Sequence, residues 1–189
     1  MRSADAHDDA LRAAVQILED GGYAAITIER VAARSGVAKS TIYRWWSSKA
    51  ELVMEAYGHL VAERMPMPDS GRLAEDLTTF VTALYRVVEH PTRVRALRGL
   101  MAEAQLDPAF AEAFRGWVRS RRDVLAVVFT RAIDRGELPA GLDVDHAVDL
   151  VFGPFWYRLL VEHLPVDAAE APAHVRRLLY GLNDAPPES

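Results

Sequence analysis

The sequence predicts an all-α protein of about nine helices, and three observations carry that prediction. Apolar residues recur at helical spacing in segment after segment, and no series of stretches alternates apolar with polar residues as half-buried strands would. Gly21-Gly22, Gly36, the Met65-Pro66-Met67-Pro68 run and Gly136 stand where those periodic segments stop. With 189 residues, half of them apolar, the chain is long enough to bury a real core in one or two domains. It has no cysteine, which excludes disulfides, thiolate metal sites and a cysteine nucleophile.

Leu11, Ala14, Val15 and Leu18 form the apolar stripe of a first helix that Gly21-Gly22 ends. Thr27 suits the N-cap of a second, short helix with Val31 and Ala32 on its inner face and Ser35-Gly36 as its stop. A third runs from about Lys39 to Trp46, with Ile42 and Trp46 on one face. The fourth starts at Ser48, reads through Leu52, Ala56 and Leu60, and ends in the proline run before Asp69-Ser70-Gly71. Leu73, Leu77, Phe80, Val81, Leu84 and Val88 make a fifth. A shorter sixth lies around Val94, Leu97 and Met101. Pro108 opens the longest, about 108 to 135, with Phe110, Phe114, Trp117, Leu125, Val128 and Ala132 inward. Two more follow, Asp145 to about His163 and Pro172 to Leu182, before a frayed tail at 185–189. The expected division is 1–47 and 48–189.

Residues 1–50 hold seven Lys/Arg against six Asp/Glu, while the rest hold fifteen against twenty-one, and both lysines, Lys39 and Lys49, lie in the first part. An acidic chain can still bind nucleic acid if its cations share one surface, because only charge near the phosphates counts at physiological screening. Residues 27–46 offer such a surface. Two short helices joined by a glycine-bearing turn make a helix-turn-helix, in which the first supports and the second enters the major groove. Ala32 is small where the helices cross, Gly36 fits a turn of positive φ, and Val37 and Ile42 anchor a three-helix core. Lys39, Ser40, Thr41, Tyr43, Arg44 and Trp45 then project outward with hydroxyls, cations and aromatics suited to phosphates and base edges, and Thr27 borders them. Tyr43, Trp45 and Trp46 crowd so short a helix that some must face a partner. Lys49 adds a cation at the start of the fourth helix, where backbone N–H groups also favour a phosphate.

The run Gly21-Gly22-Tyr23, Thr27-Ile28, Val31-Ala32, Ser35-Gly36-Val37, Thr41-Ile42-Tyr43-Arg44-Trp45-Trp46 and Ser47-Ser48-Lys49-Ala50-Glu51-Leu52 resembles the DNA-binding domain of TetR-type transcriptional regulators. That resemblance implies a three-helix head that reads a palindromic operator as a dimer. Thr41, Tyr43 and Lys49 match positions that contact the DNA backbone, and Lys39, Ser40 and Trp45 match positions near bases or neighbouring phosphates. The Trp45-Trp46 pair departs from the His-Phe of many members and leaves the base preference at Trp45 open.

Arg131 to Leu138 and Gly153 to Leu160 resemble the regulatory domain of one TetR branch, which implies a small-molecule effector and dimerisation through the last two long helices. Val148, Val151, Phe155, Trp156 and Leu159, with Val175, Leu178, Leu179 and Leu182, are the expected dimer surface. Phe80, Leu84, Met101, Phe110, Phe114, Trp117 and Phe152 are the expected effector contacts, Met101 for its adaptable shape and Trp117 for its N–H.

The acidic group Asp143, Asp145, His146 and Asp149 is explained by a helix N-terminus, so no metal is expected. Arg115, Arg119 and Arg122 read as a solvated stripe. No G-x-S-x-G, P-loop or G-x-G-x-x-G occurs, and neither an enzyme nor a cofactor is expected. The opening Met1-Arg2-Ser3-Ala4-Asp5 lacks a secretory pattern, the longest apolar run, Val124 to Phe129, is far too short to span a membrane, and a cytoplasmic location follows. The resulting expectation is a dimeric repressor released from a palindromic operator by a small apolar or amphipathic ligand. The alternatives are an activator, a ligand-independent regulator, or a helical small-molecule-binding module without DNA binding.

Overall fold

The computed structural model describes residues 2–65 and 67–181. Among them are nine α-helices and no strand: α1 (Arg2–Gly21), α2 (Ile28–Ser35), α3 (Lys39–Trp45), α4 (Lys49–Arg64), α5 (Leu73–Tyr85), α6 (Pro91–Leu106), α7 (Pro108–Asp134), α8 (Val144–Val161) and α9 (Ala171–Tyr180). Pro66, Leu182 and the tail at 185–189 lie outside the described residues. Two compact units are formed, one of Met1–Arg64 with His90–Arg119, the other of Met65–Glu89 with Ser120–Ser189.

The first unit is built around α1, whose Ala10, Leu11, Ala13, Ala14, Ile17 and Leu18 are all buried. Val15, expected inward, is only half-buried, because the stripe turns toward Ala13 and Ile17 as α1 packs on both α2 and α4. The turn between α2 and α3 is locked by three devices. Gly36 takes φ 72° and donates its N–H to Ala32 O at 2.9 Å, while the Ser35 hydroxyl donates to Val31 O at 2.7 Å and accepts from Val37 N–H at 3.2 Å. Thr27 Oγ1 caps α2 by accepting from Arg30 N–H at 3.1 Å. Ser48 caps α4 through Glu51 N–H, and the Glu51 carboxylate reaches back to the Ser47 N–H and hydroxyl, both at 2.7 Å.

The second unit packs α5, the second half of α7, α8 and α9 around Leu77, Phe80, Val81, Leu125, Val128, Phe129, Val151, Phe155 and Val175. The fifth helix ends at Tyr85, and Val88 lies in a following 3-10 turn, Arg86–Glu89, not on the helix itself. No side chain of Arg72 caps α5. Glu137, far along the chain, accepts from Leu73 N–H at 2.8 Å, and that bond with Arg135 holds its carboxyl below the usual range. Asp76 is buried with its carboxylate on Ser70 N–H at 2.7 Å.

Pro154 sits inside α8 and has no N–H for the carbonyl of Leu150. The Tyr85 hydroxyl lies 2.9 Å from Nδ1 of His174 in α9, and the two rings stack with their centres 5.9 Å apart. That pair ties α5 to α9.

Candidate nucleic-acid interface

The third helix has seven residues and is followed at once by its C-cap, Trp46. Ile42 and Trp46 are buried, whereas Lys39, Ser40, Tyr43 and Arg44 are exposed, Tyr43 to 54%. Trp46 is anchored by its indole N–H, which donates to Glu55 Oε2 of α4 at 2.7 Å, and His7 of α1 stands 3.4 Å from Glu55 Oε1 with its ring 4.6 Å from that of Trp46. The recognition helix is therefore held from behind by α1 and α4, with its polar face left to solvent.

Trp45, expected to project outward, is half-buried: its ring lies edge-on to His7 at 5.1 Å and to Trp46 at 5.5 Å. Aromatic packing at the helix end outweighs exposure there. Thr41 is also half-buried. Thr27 is exposed but its oxygen is committed to the cap. Lys39 pairs with Glu29 at 2.9 Å, and this hydrogen bond, with the helix N-terminal backbone, keeps the Glu29 carboxyl below its usual range. The Lys39 ammonium has three N–H donors, of which this pair engages one. Lys49 is half-buried with Nζ 3.8 Å from the centroid of the Tyr23 ring. His7 and Tyr23 were not legible as partners, since each acts across elements distant in sequence, whereas Glu29 and Glu55 lie only ten and nine residues from Lys39 and Trp46.

The expected effector contacts are found in both units. Met101, Phe110, Phe114 and Trp117 belong to the first unit, whereas Phe80, Leu84 and Phe152 belong to the second. In the first, Trp117 lies 5.4 Å from Phe114 and 5.3 Å from Tyr57, ring centre to ring centre. Phe114 also lines an open groove of about 400 Å³ with Ala104, Gln105, Ala111 and Val118, rimmed by Arg115 and Arg119. In the second, Phe80 meets Phe152 edge-on at 5.7 Å.

The expected dimer residues are mostly unavailable. Val148, Val151, Phe155, Leu159 and Val175 are buried in the protomer's own core, and Trp156, Leu178 and Leu179 are half-buried. Periodicity identified the apolar face of α8 that packs inward. A second apolar face, Leu150, Tyr157, Leu160, Val161 and, just beyond the helix, Leu164, is exposed. The acidic group goes to structure: Asp143 caps α8 through His146 N–H, and Asp145 and Asp149 both bind Arg122. Arg115 and Arg119 share Glu112 on the surface. Among the described residues no helix is long and apolar enough to cross a membrane.

The comparisons with known proteins agree with this geometry. Residues 10–56 match the family model for bacterial regulatory proteins of the tetR family, and residues 67–178 match a tetracyclin repressor-like C-terminal domain. The chain is 34% identical to the uncharacterized HTH-type transcriptional regulator YdeS of Bacillus subtilis over 161 residues, 85% of this chain and 81% of that one. It is 32% identical to the DNA-binding transcriptional repressor TetR of Mycobacteroides abscessus over 143 residues, 71% of this chain and 70% of that one. The crystal structure of the TetR family regulator SCO0332 superposes with TM-score 0.85 at 34% identity, covering 95% of this chain and all of that one. FadR of Bacillus subtilis, solved with stearoyl-CoA, shares the fold at TM-score 0.69 and 19% identity over 93% of this chain and 98% of that one. An exposed recognition helix on a buried three-helix support, matched along both parts of the chain, makes this protein a DNA-binding helix-turn-helix transcriptional regulator belonging to the TetR family.

Proposed function

We propose that the protein represses transcription by binding a palindromic operator as a homodimer in the cytoplasm, and that a small apolar or amphipathic molecule releases it. The observation that carries the DNA half is the exposed Lys39, Ser40, Tyr43 and Arg44 face over the buried Ile42 and Trp46. Two copies are needed because one seven-residue helix reads only a few base pairs, and two half-sites about one helical turn apart demand a fixed separation of recognition helices. The exposed Leu150, Tyr157, Leu160, Val161 and Leu164 face supports pairing of two copies through α8, as an isologous contact that also covers surface costly to leave in water.

The repressor sign is supported by the relative that carries that name. The effector's class is supported by the aromatic side chains Phe114, Trp117, Phe80 and Phe152 and by the stearoyl-CoA held by a protein of the same fold. Release requires the effector to bind more tightly to the conformer whose recognition helices are wrongly spaced, since equal affinity for both states shifts nothing. A promoter–reporter assay with and without the protein tests the sign: lower expression with the protein, restored by an effector, is expected. Raised expression would make it an activator, and repression insensitive to every long-chain acyl and aromatic compound tried would remove the effector.

A further inference from the structure

Lys49 opens α4, on the side of the head expected to meet the DNA backbone, yet its ammonium is not simply solvated. It lies 3.8 Å from the centre of the Tyr23 ring, over its face. The ring itself is fixed from two directions. Gly22, at φ 73°, turns the chain out of α1 into the single 3-10 turn Tyr23–Ala25, and Phe110, fully buried at the start of α7, meets the Tyr23 ring edge-on at 4.8 Å and 67°. Burial pushes the phenol up to about 12, with Glu103 and Asp107 at the end of α6 adding to the rise, and burial lowers the Lys49 ammonium while Glu103 opposes that. The corner between α6 and α7 thus sets the Phe110 ring edge against Tyr23 and carries Glu103, whose charge acts on both members of the pair.

A lysine has four rotatable carbons and a point charge, so an unrestrained Lys49 would lose much freedom on meeting a phosphate. We propose that Tyr23 is a positioning residue for DNA binding: its ring face holds the Lys49 ammonium in place for the operator backbone, and Phe110 holds the ring. An ammonium has three N–H donors, so the ring can engage one side while others reach a phosphate oxygen. Because the ring is held by α7, any shift of the α6–α7 corner displaces Tyr23 and the cation on it. The inference rests on the reading that Lys49 meets DNA.

The test uses the full-length protein and a duplex selected from its own upstream DNA, with affinity measured by fluorescence anisotropy across a salt series and folding checked by thermal melts. Lys49→Met is expected to lower the salt slope by about one and weaken binding. Tyr23→Leu is expected to weaken binding about three- to tenfold in the wild-type background and to add nothing in the Lys49→Met background, while Tyr23→Phe keeps wild-type binding. Should Tyr23→Leu fail to fold, pentafluorophenylalanine at position 23 keeps the shape of the ring while removing the negative face, and is expected to give the same loss. Full affinity with a folded Tyr23→Leu or with the fluorinated ring, or the same loss with and without Lys49, overturns the role of Tyr23 alone. Unchanged slope and affinity in Lys49→Met overturns the DNA reading of Lys49 and the proposal with it.

Discussion

The Tyr85 hydroxyl and the His174 Nδ1 face each other across 2.9 Å, with the two rings stacked 5.9 Å apart between α5 and α9. Burial holds His174 below its ordinary value, with Arg158 and Arg177 acting in the same direction and the Leu150 backbone bond opposing it. The folded state therefore binds the proton less readily than the unfolded chain. Stability contributed by His174 is complete above the unfolded value near 6.5, and it is lost as pH falls from there through the lower folded value. Urea melts between pH ~7.5 and ~5 are expected to show wild type losing stability faster than His174→Gln, which keeps both hydrogen-bonding roles without the proton. Parallel curves would contradict the assignment.

Glu29 and Lys39 form an exposed pair at 2.9 Å on the face assigned to DNA. Glu29→Gln removes a negative charge from that face and frees Lys39, at little cost to a solvent-exposed pair. Operator affinity is expected to rise about two- to fivefold, with the gain largest at low salt and fading as screening grows. A salt titration of both proteins measures this, and a loss of affinity would mean that Glu29 itself makes a needed contact.

Gly36 adopts φ 72°, and a Cβ there would meet nothing within 4 Å. Gly36→Ala therefore isolates backbone strain from crowding, and is expected to destabilise the head by about 1–2 kcal/mol, read from denaturant midpoints. A neutral result would mean that the turn relaxes to another geometry.

Leu159 and Leu160 are neighbours with opposite fates, one buried in the protomer and one exposed. Leu159→Ala is expected to cost about 2–5 kcal/mol of folding stability and leave assembly unchanged when folded. Leu160→Glu, alone or with Tyr157→Glu, is expected to leave the fold intact and shift the protein from dimer to monomer in sedimentation equilibrium. A dimer that survives the double change would place the contact elsewhere.

The difference between those leucines shows how far sequence reaches. Period 3.6 marks every apolar position of α8, but with both faces apolar it cannot say which one the rest of the chain covers. The same blindness leaves the expected effector contacts, Phe80, Leu84, Phe152, Met101, Phe110, Phe114 and Trp117, indistinguishable by spacing from ordinary core residues. The head was far more legible, because its devices are local: Thr27 capping α2, Gly36 in its turn, Ile42 and Trp46 on one buried face. Where the head was misread, at Trp45, the cause was a ring contact with His7, thirty-odd residues upstream. Partners such as Glu137 for α5 and Tyr23 for Lys49 depend on chain reversals that no spacing encodes.

The most direct test of the account is anisotropy of the purified protein with duplexes from upstream of its own and adjacent genes, run against competitor DNA, with Tyr43→Ala as the contrast. Tyr43 is exposed, so its removal should leave thermal stability within about 0.5 kcal/mol. The account predicts competitor-resistant binding of two protomers per palindrome, weakened about tenfold or more by Tyr43→Ala. Binding that competitor abolishes on every duplex, and that Tyr43→Ala leaves unchanged, would contradict it.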